Sequence, residues 1–188
     1  MVVAGHTGDL AVATEGLADD DPSVRSAALG ALARLGHLDT GVVERAAADP
    51  QPAVRRRAAE LCARLGPATV PLLRRALSDR EPAVAEAACF ALGELGEDAA
   101  DAVADLVAVS GEADDPLCRE AAVAALGAIG DQRGLAAILA ATADKPAVRR
   151  RAVIALAPFD GPEVDEALQR ALTDRDWQVR QAAEDLLT

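Results

Sequence analysis

Few residues in this chain have the types that ordinarily carry chemistry. There are two histidines, His6 and His37, and three cysteines, Cys62, Cys89 and Cys118. A histidine could serve as a general base or a metal ligand, but these two are far apart in sequence, both fall near turns, and no His/Cys cluster has ligand spacing. The cysteines are odd in number and form no CxxC pair, so they read as small buried hydrophobes in a reducing compartment. Neither a glycine-rich phosphate loop nor a nucleophile elbow occurs. Carboxylates are plentiful, 31 in all, and in such numbers they read as solvated acids rather than as a catalytic pair. The sequence therefore assigns no catalytic residue, no cofactor-binding residue, no metal ligand and no cofactor, and the balance is against an enzyme.

Binding chemistry is better represented. The formal net charge is −12 over 188 residues, which argues against nucleic acid as a partner, since phosphate binding needs clustered Lys and Arg. The triplets Arg55-Arg56-Arg57 and Arg149-Arg150-Arg151 look like basic patches. Three successive helical residues, however, fan around about 200° of the axis and share no stripe. From residue 81 to residue 118 there is no Lys or Arg, while ten acids fall in the same span, Glu86, Glu94 and Asp105 among them. A central acidic belt of this kind favours a basic partner and speeds its encounter.

The elements that must position these residues are set by an internal repeat. An acidic turn, a proline, an apolar anchor, an arginine and then alanines and leucines close on Leu-Gly. Asp21-Pro22-Ser23-Val24-Arg25 ending at Leu35-Gly36 is the first copy, and Pro52-Ala53-Val54-Arg55 ending at Leu65-Gly66 is the second. Anchors fall at Val24, Val54, Val84, Cys118, Val148 and Val179, so spacings are 30, 30, 34, 30 and 31. Proline suits the first helical position, where its missing N–H is not needed. Asp21, Asp115 and Asp176 precede the helix as N-caps, whereas Gln51, Glu81 and Lys145 are poorer caps. Gly36, Gly66, Gly96 and Gly130 stand where a left-handed residue ends a helix. Apolar residues at the anchor, +4, +7 or +8 and +11 make one helical stripe. The segment before each proline supplies the other helix, as with Val70, Leu72, Leu73, Ala76 and Leu77. A lone pair cannot bury both stripes, so pairs must stack. Aromatics are only 2%, so Ala, Leu and Val fill the interior, which suits closely spaced helices.

The Pro-x-Val-Arg motif with its following alanine and closing Leu-Gly resembles the HEAT-like repeats of the phycobilisome-lyase subclass, over about residues 6–188. The resemblance implies an all-α fold, a right-handed α-solenoid of about six helix-pair repeats in a single domain, 1–188. The repeats lie at approximately 6–36, 37–66, 67–96, 97–130, 131–160 and 161–188. It further implies a ladder in which the arginine after each anchor pairs with turn aspartates: Arg25, Arg55, Arg119, Arg149 and Arg180 with Asp19, Asp49, Asp79 and Asp174. Ala85 breaks the ladder in the third repeat, which would loosen the stack or free Asp79. Proteins with such repeats act as scaffolds, partner-binding subunits, chromophore lyases or nucleic-acid enzymes.

On the second helix of each pair, positions +2, +5, +6 and +9 point away from the apolar stripe and are expected to line the concave face. This yields a candidate partner-binding set of Arg56, Glu60, Glu86, Phe90, Glu94, Glu120, Arg150 and Ile154. Small residues at +9, Gly93 and Gly127 among them, imply a steric demand. Repeat four is longer by about four residues around Ser110-Gly111-Glu112-Ala113, and such insertions usually form loops on a binding face. The expected function is a protein-interaction scaffold for a basic partner protein, with a chromophore-lyase-like or cofactor-maturation subunit and a nucleic-acid module as alternatives. The start, Met1 to Gly5, lacks the basic flank and apolar run of a signal peptide, and no stretch approaches the roughly 20 apolar residues of a membrane span. A cytoplasmic location is therefore expected. The last helix stops abruptly at Leu186-Leu187-Thr188, which leaves room for a longer parent chain or for end-to-end self-association.

Overall fold

The computed structural model describes the backbone of residues 3–187 and the side chains of residues 9–187. Helices follow one another along the chain as six pairs. The first three are α1 (Val3–Gly16) with α2 (Pro22–Leu35), α3 (Thr40–Ala47) with α4 (Pro52–Cys62), and α5 (Val70–Ala76) with α6 (Pro82–Leu95). The next three are α7 (Val103–Glu112) with α8 (Pro116–Ile129), α9 (Leu135–Ala141) with α10 (Pro146–Ala155), and α11 (Pro162–Ala171) with α12 (Trp177–Leu187). The chain divides into two compact units, Met1–Ala91 and Leu92–Thr188, and the division falls within α6. Among the described residues no helix is long and apolar enough to cross a membrane.

The helix ends follow the sequence marks. Asp21 accepts from the Ser23 N–H at 2.8 Å and Asp115 from the Leu117 N–H at 2.9 Å, as N-caps do. Gly36 and Gly130 end α2 and α8 in the left-handed region, at φ 74° and 70°, where a Cβ would be strained. Gln51 and Lys145 make no side-chain cap. Their own N–H groups instead donate to Asp49 at 2.9 Å and Asp144 at 2.6 Å, so these helix starts are held by the preceding aspartate.

Within each unit the helices form two layers. In the first, α2 packs on α4 and α3 on α5; in the second, α8 packs on α10, α10 on α12, and α7 and α11 flank α9. First helices thus meet first helices and second helices meet second ones, which is how each pair buries the stripe that it cannot cover alone. Leu29, Leu32, Val42, Val54 and Leu61 form the core of the first unit, and Leu106, Leu126, Ile138 and Leu156 are fully buried in the second.

The four extra residues of repeat four do not form a loop. Ser110, Gly111 and Glu112 lie within α7, and the added length falls mainly before it, in a 3-10 helix over Gly96–Ala102 of seven residues against three at Pro67–Thr69 and Gln132–Gly134; Ser110 is buried with its hydroxyl donating to the Val107 carbonyl at 2.8 Å. A serine that bonds the backbone of the preceding turn can be carried inside a helix, which is why the polar run did not become a connection.

Candidate functional site

The arginine after each anchor reaches forward by one repeat. Arg25 forks onto Asp49 (Nε–Oδ2 2.7 Å, Nη2–Oδ1 2.8 Å), and Arg55 forks onto Asp79 with the same two distances. Arg119 meets Asp144 at 2.7 and 2.9 Å, and Arg149 meets Asp174 at 2.9 and 2.7 Å. Each arginine also donates through Nη1 to carbonyls of its own turn, Asp19 and Asp20 for Arg25, and Asp144 for Arg149. One side chain therefore ties its own turn to the next, which fixes the register of neighbouring repeats. The arginine bond holds the carboxyls of Asp49, Asp79, Asp144 and Asp174 below their ordinary range.

Two expectations change here. Asp79 is not freed by Ala85, because its arginine comes from the repeat before it. Asp144 was missed: it stands four residues ahead of its anchor rather than five, with Ala143 in the aspartate's register position. The signal that could have found it is the acid directly before Lys145-Pro146.

The face of the second helices is narrower than the sequence pattern implied. Positions +2 and +6 are the outward ones. The +5 residues are core: Leu29, Ala59, Cys89, Val123 and Val153 are at most 3% exposed. On a helix, +5 lies about 40° from +1 and about 60° from +8 but about 140° from the anchor, and neighbouring second helices close over it. All three cysteines are buried, and burial pushes the Cys62 thiol up to about 11. His37 is exposed at the turn after α2, and the side chain of His6 lies outside the described residues. Among the described residues no group of His, Cys, Asp and Glu has the arrangement of a metal site.

The candidate binding residues sort by what already holds them. Glu60 is engaged by Arg57 at 2.9 Å and Arg56 at 3.4 Å. Glu120 is engaged by Arg151 at 3.3 Å. Arg150 and Ile154 are exposed on α10. On α6, Glu86, Phe90 and Glu94 follow at steps of four, so they lie on one stripe. Phe90 is 50% exposed; Glu86 is half-buried and Glu94 exposed. Neither glutamate pairs with a basic side chain among the described residues. The arginine triplets are dispersed: Arg55 and Arg149 belong to the ladder, and Arg57 and Arg151 hold glutamates.

The small +9 residues mark close helix approach. A Cβ on Gly127 would lie 2.7 Å from the Ala155 Cα, and one on Gly93 3.3 Å from the Ala125 Cα. Backbone meets backbone at both places: packing requires glycine at 127, and at 93 an added Cβ would need its neighbour to give by a few tenths of an ångström.

Helix pairs in two layers, joined by arginine–aspartate rungs, define an α-solenoid of the HEAT/armadillo kind, the architecture of protein-binding scaffolds. The family model for HEAT repeats matches residues 40–127 and again 103–188, and the chain belongs to that family. Among solved structures, it is similar to a designed armadillo repeat protein in complex with the peptide (KR)4, with 17% identity, TM-score 0.69, and 93% of this chain and 96% of that one covered. It is similar to the complex of CpcE and CpcF of phycocyanin lyase from Nostoc sp. PCC7120, with 26% identity, TM-score 0.66, and 95% and 75% covered. An engineered protein matches at 20% identity and TM-score 0.67, with 95% and 97% covered. No curated protein matches the sequence.

Proposed function

We propose that this chain is a protein-interaction scaffold that takes a basic segment of its partner on the Glu86–Phe90–Glu94 stripe of α6. The observation that carries the reading is an exposed aromatic between two unpaired carboxylates on one helix. Aromatic anchors supply most of the energy in small interfaces, and flanking carboxylates select and steer a basic chain. The absence of any Lys or Arg from residue 81 to residue 118 extends the same polarity. The designed armadillo protein that shares this fold binds a peptide of alternating Lys and Arg, which makes that peptide a suitable probe.

Titration of labelled (KR)4 by fluorescence anisotropy tests the proposal. Phe90→Ala and the double reversal Glu86→Arg/Glu94→Arg should each weaken binding by about tenfold or more. Reversal of an exposed acid elsewhere, Glu163→Arg on α11, should leave it within about twofold, because screening limits remote charges to about 8 Å at physiological salt. Equal loss from all three variants would mean attraction by net charge alone and would overturn the α6 site.

A second reading, a subunit of a chromophore-lyase-like or cofactor-maturation complex, is favoured by the 26% identity to the CpcE–CpcF complex over 95% of this chain. It would need a carboxylate rather than a thiol at work, since Cys89 is fully buried. Co-purification of a tetrapyrrole from a producing cell would support it.

A further inference from the structure

Gly30 breaks the pattern of the outward stripe. It stands at +6 of α2, the position held by Glu60, Phe90, Ala124 and Ile154 on the next four second helices, yet it is buried. Glycine disfavours a helix interior, and what covers it here is a pair of arginine heads. A Cβ on Gly30 would lie 2.8 Å from Arg57 Nη2 and 3.4 Å from Arg34 Nη1. Arg34 stands one turn further along α2 on the stripe of Gly30. Arg57 reaches across from α4, which packs on α2. Two guanidinium groups from two helices therefore converge over one backbone position.

The charge around this point is not balanced. Glu60 accepts from Arg57 Nη1 at 2.9 Å and lies 3.4 Å from Arg56 Nε. Arg34 makes no ion pair among the described residues. Three arginines thus share one carboxylate in a chain whose net charge is −12. Glu60 also orients Arg57, because holding Nη1 leaves Nη2 directed at Gly30 and Arg34.

Like charges brought to one point repel, and an anion set between them turns that repulsion into two attractions. The donors narrow the anion. A carboxylate has two oxygens, which a single arginine fork fills. Arg57 Nη2 and Arg34 Nη1 come from different helices, so their ligand needs oxygens facing two ways. A phosphate monoester has three terminal oxygens and a charge of about −1.5 to −2 at neutral pH, and arginine clusters are suited to recognise it. We propose that Arg34 and Arg57, over Gly30, bind a phosphate monoester, with Arg56 beside them adding charge. Arg34 and Arg56 are exposed, so the group can arrive on a phosphorylated side chain or as a small phosphate. All of these residues lie on α2 and α4, within the first compact unit. The site uses no residue of α6 and does not rest on the reading of that helix.

Fluorescence anisotropy of the full chain with a labelled Gly/Ser peptide carrying one phosphoserine tests the site, with the unphosphorylated peptide as reference. The phosphorylated peptide should bind more tightly by about tenfold or more. Arg34→Gln and Arg57→Gln should each weaken it by about tenfold or more. Arg80→Gln, which removes the same charge from the turn before α6, should change it by less than about twofold. Gly30→Ala keeps every charge, but its methyl takes the place of Arg57 Nη2, so affinity should fall several-fold while the thermal melt holds or rises. Competition by free phosphoserine and by inorganic phosphate separates the sources. A peptide that outbinds both assigns the phosphate to a partner chain, and equal affinities assign it to a small ligand. Equal binding of the two peptides, the same loss from Arg80→Gln as from Arg34→Gln, or a Gly30→Ala protein that binds as the wild type does would each overturn the proposal.

Discussion

Asp49, Asp79, Asp144 and Asp174 each accept both an arginine fork and the N–H of the residue that opens the next helix or its turn. The arginine bond is the main cause of their lowered pKa values. A carboxyl depressed in the folded state stabilises it fully above the unfolded pKa, about 3.9, and that contribution is lost as pH falls through the folded values. Thermal melts should therefore be nearly flat from neutrality to about pH 5 and should drop steeply below about pH 4. Asp174→Asn should melt lower at neutral pH and show a smaller further loss in acid. Removing the arginine instead strands a partly buried carboxylate: the side chains of Arg149 and Asp174 are 6% and 16% exposed. Arg149→Ala should cost roughly 2–3 kcal/mol in a urea titration.

The ladder arginines were readable at this scale because the motif repeats. Asp144 and the partners of Glu60 and Glu120 were not. A one-residue shift in a turn leaves no periodic trace, and whether Arg57 or Arg151 reaches a given glutamate depends on side-chain paths across helices.

At the level of helices, α8 and α10 approach so closely that glycine is obligatory at position 127. Alanine normally favours a helix by about 1 kcal/mol over glycine. At Gly127 the added Cβ meets the Ala155 backbone at 2.7 Å, and overpacking of that kind costs about 1–3 kcal/mol, so the clash wins. Gly127→Ala should lower the denaturation midpoint, and Gly111→Ala in α7, where nothing lies within 4 Å, should raise it. If both substitutions stabilised the protein, the close approach would be wrong. Leu106 is fully buried in the same unit, and Leu106→Ala should cost about 2–5 kcal/mol. Helix identity, order and capping were legible from proline, aspartate and glycine marks. The burial of +5 was not, because a helical wheel gives the angle of a residue but not how far the neighbouring helix wraps over it.

Over the whole molecule, the charge of −12 opposes compactness through repulsion among surface carboxylates. Salt screens exposed charges most and partly buried pairs least. Relief of repulsion should therefore outweigh weakening of the four rungs. Raising ionic strength should increase the melting temperature, by roughly 2–4 °C per kcal/mol of repulsion removed for a chain of this size, while weakening the binding of a basic peptide. A melting temperature that falls with salt would mean that the rungs dominate.

The sequence alone determined the class of fold. A period of 30 or so residues, with a breaker and a cap in each copy, leaves helix pairs that bury their stripes only by stacking. It also marked the acidic span, Phe90 and the ladder arginines, because each is a residue type at a fixed register. Only the tertiary structure decided that the rungs run forward, that Asp79 is occupied, that the long fourth repeat is helix, and that Glu86 and Glu94 stay unpaired while Glu60 and Glu120 do not. These depend on distances between helices that are remote in sequence, and the spacing of residues along one helix carries no information about them.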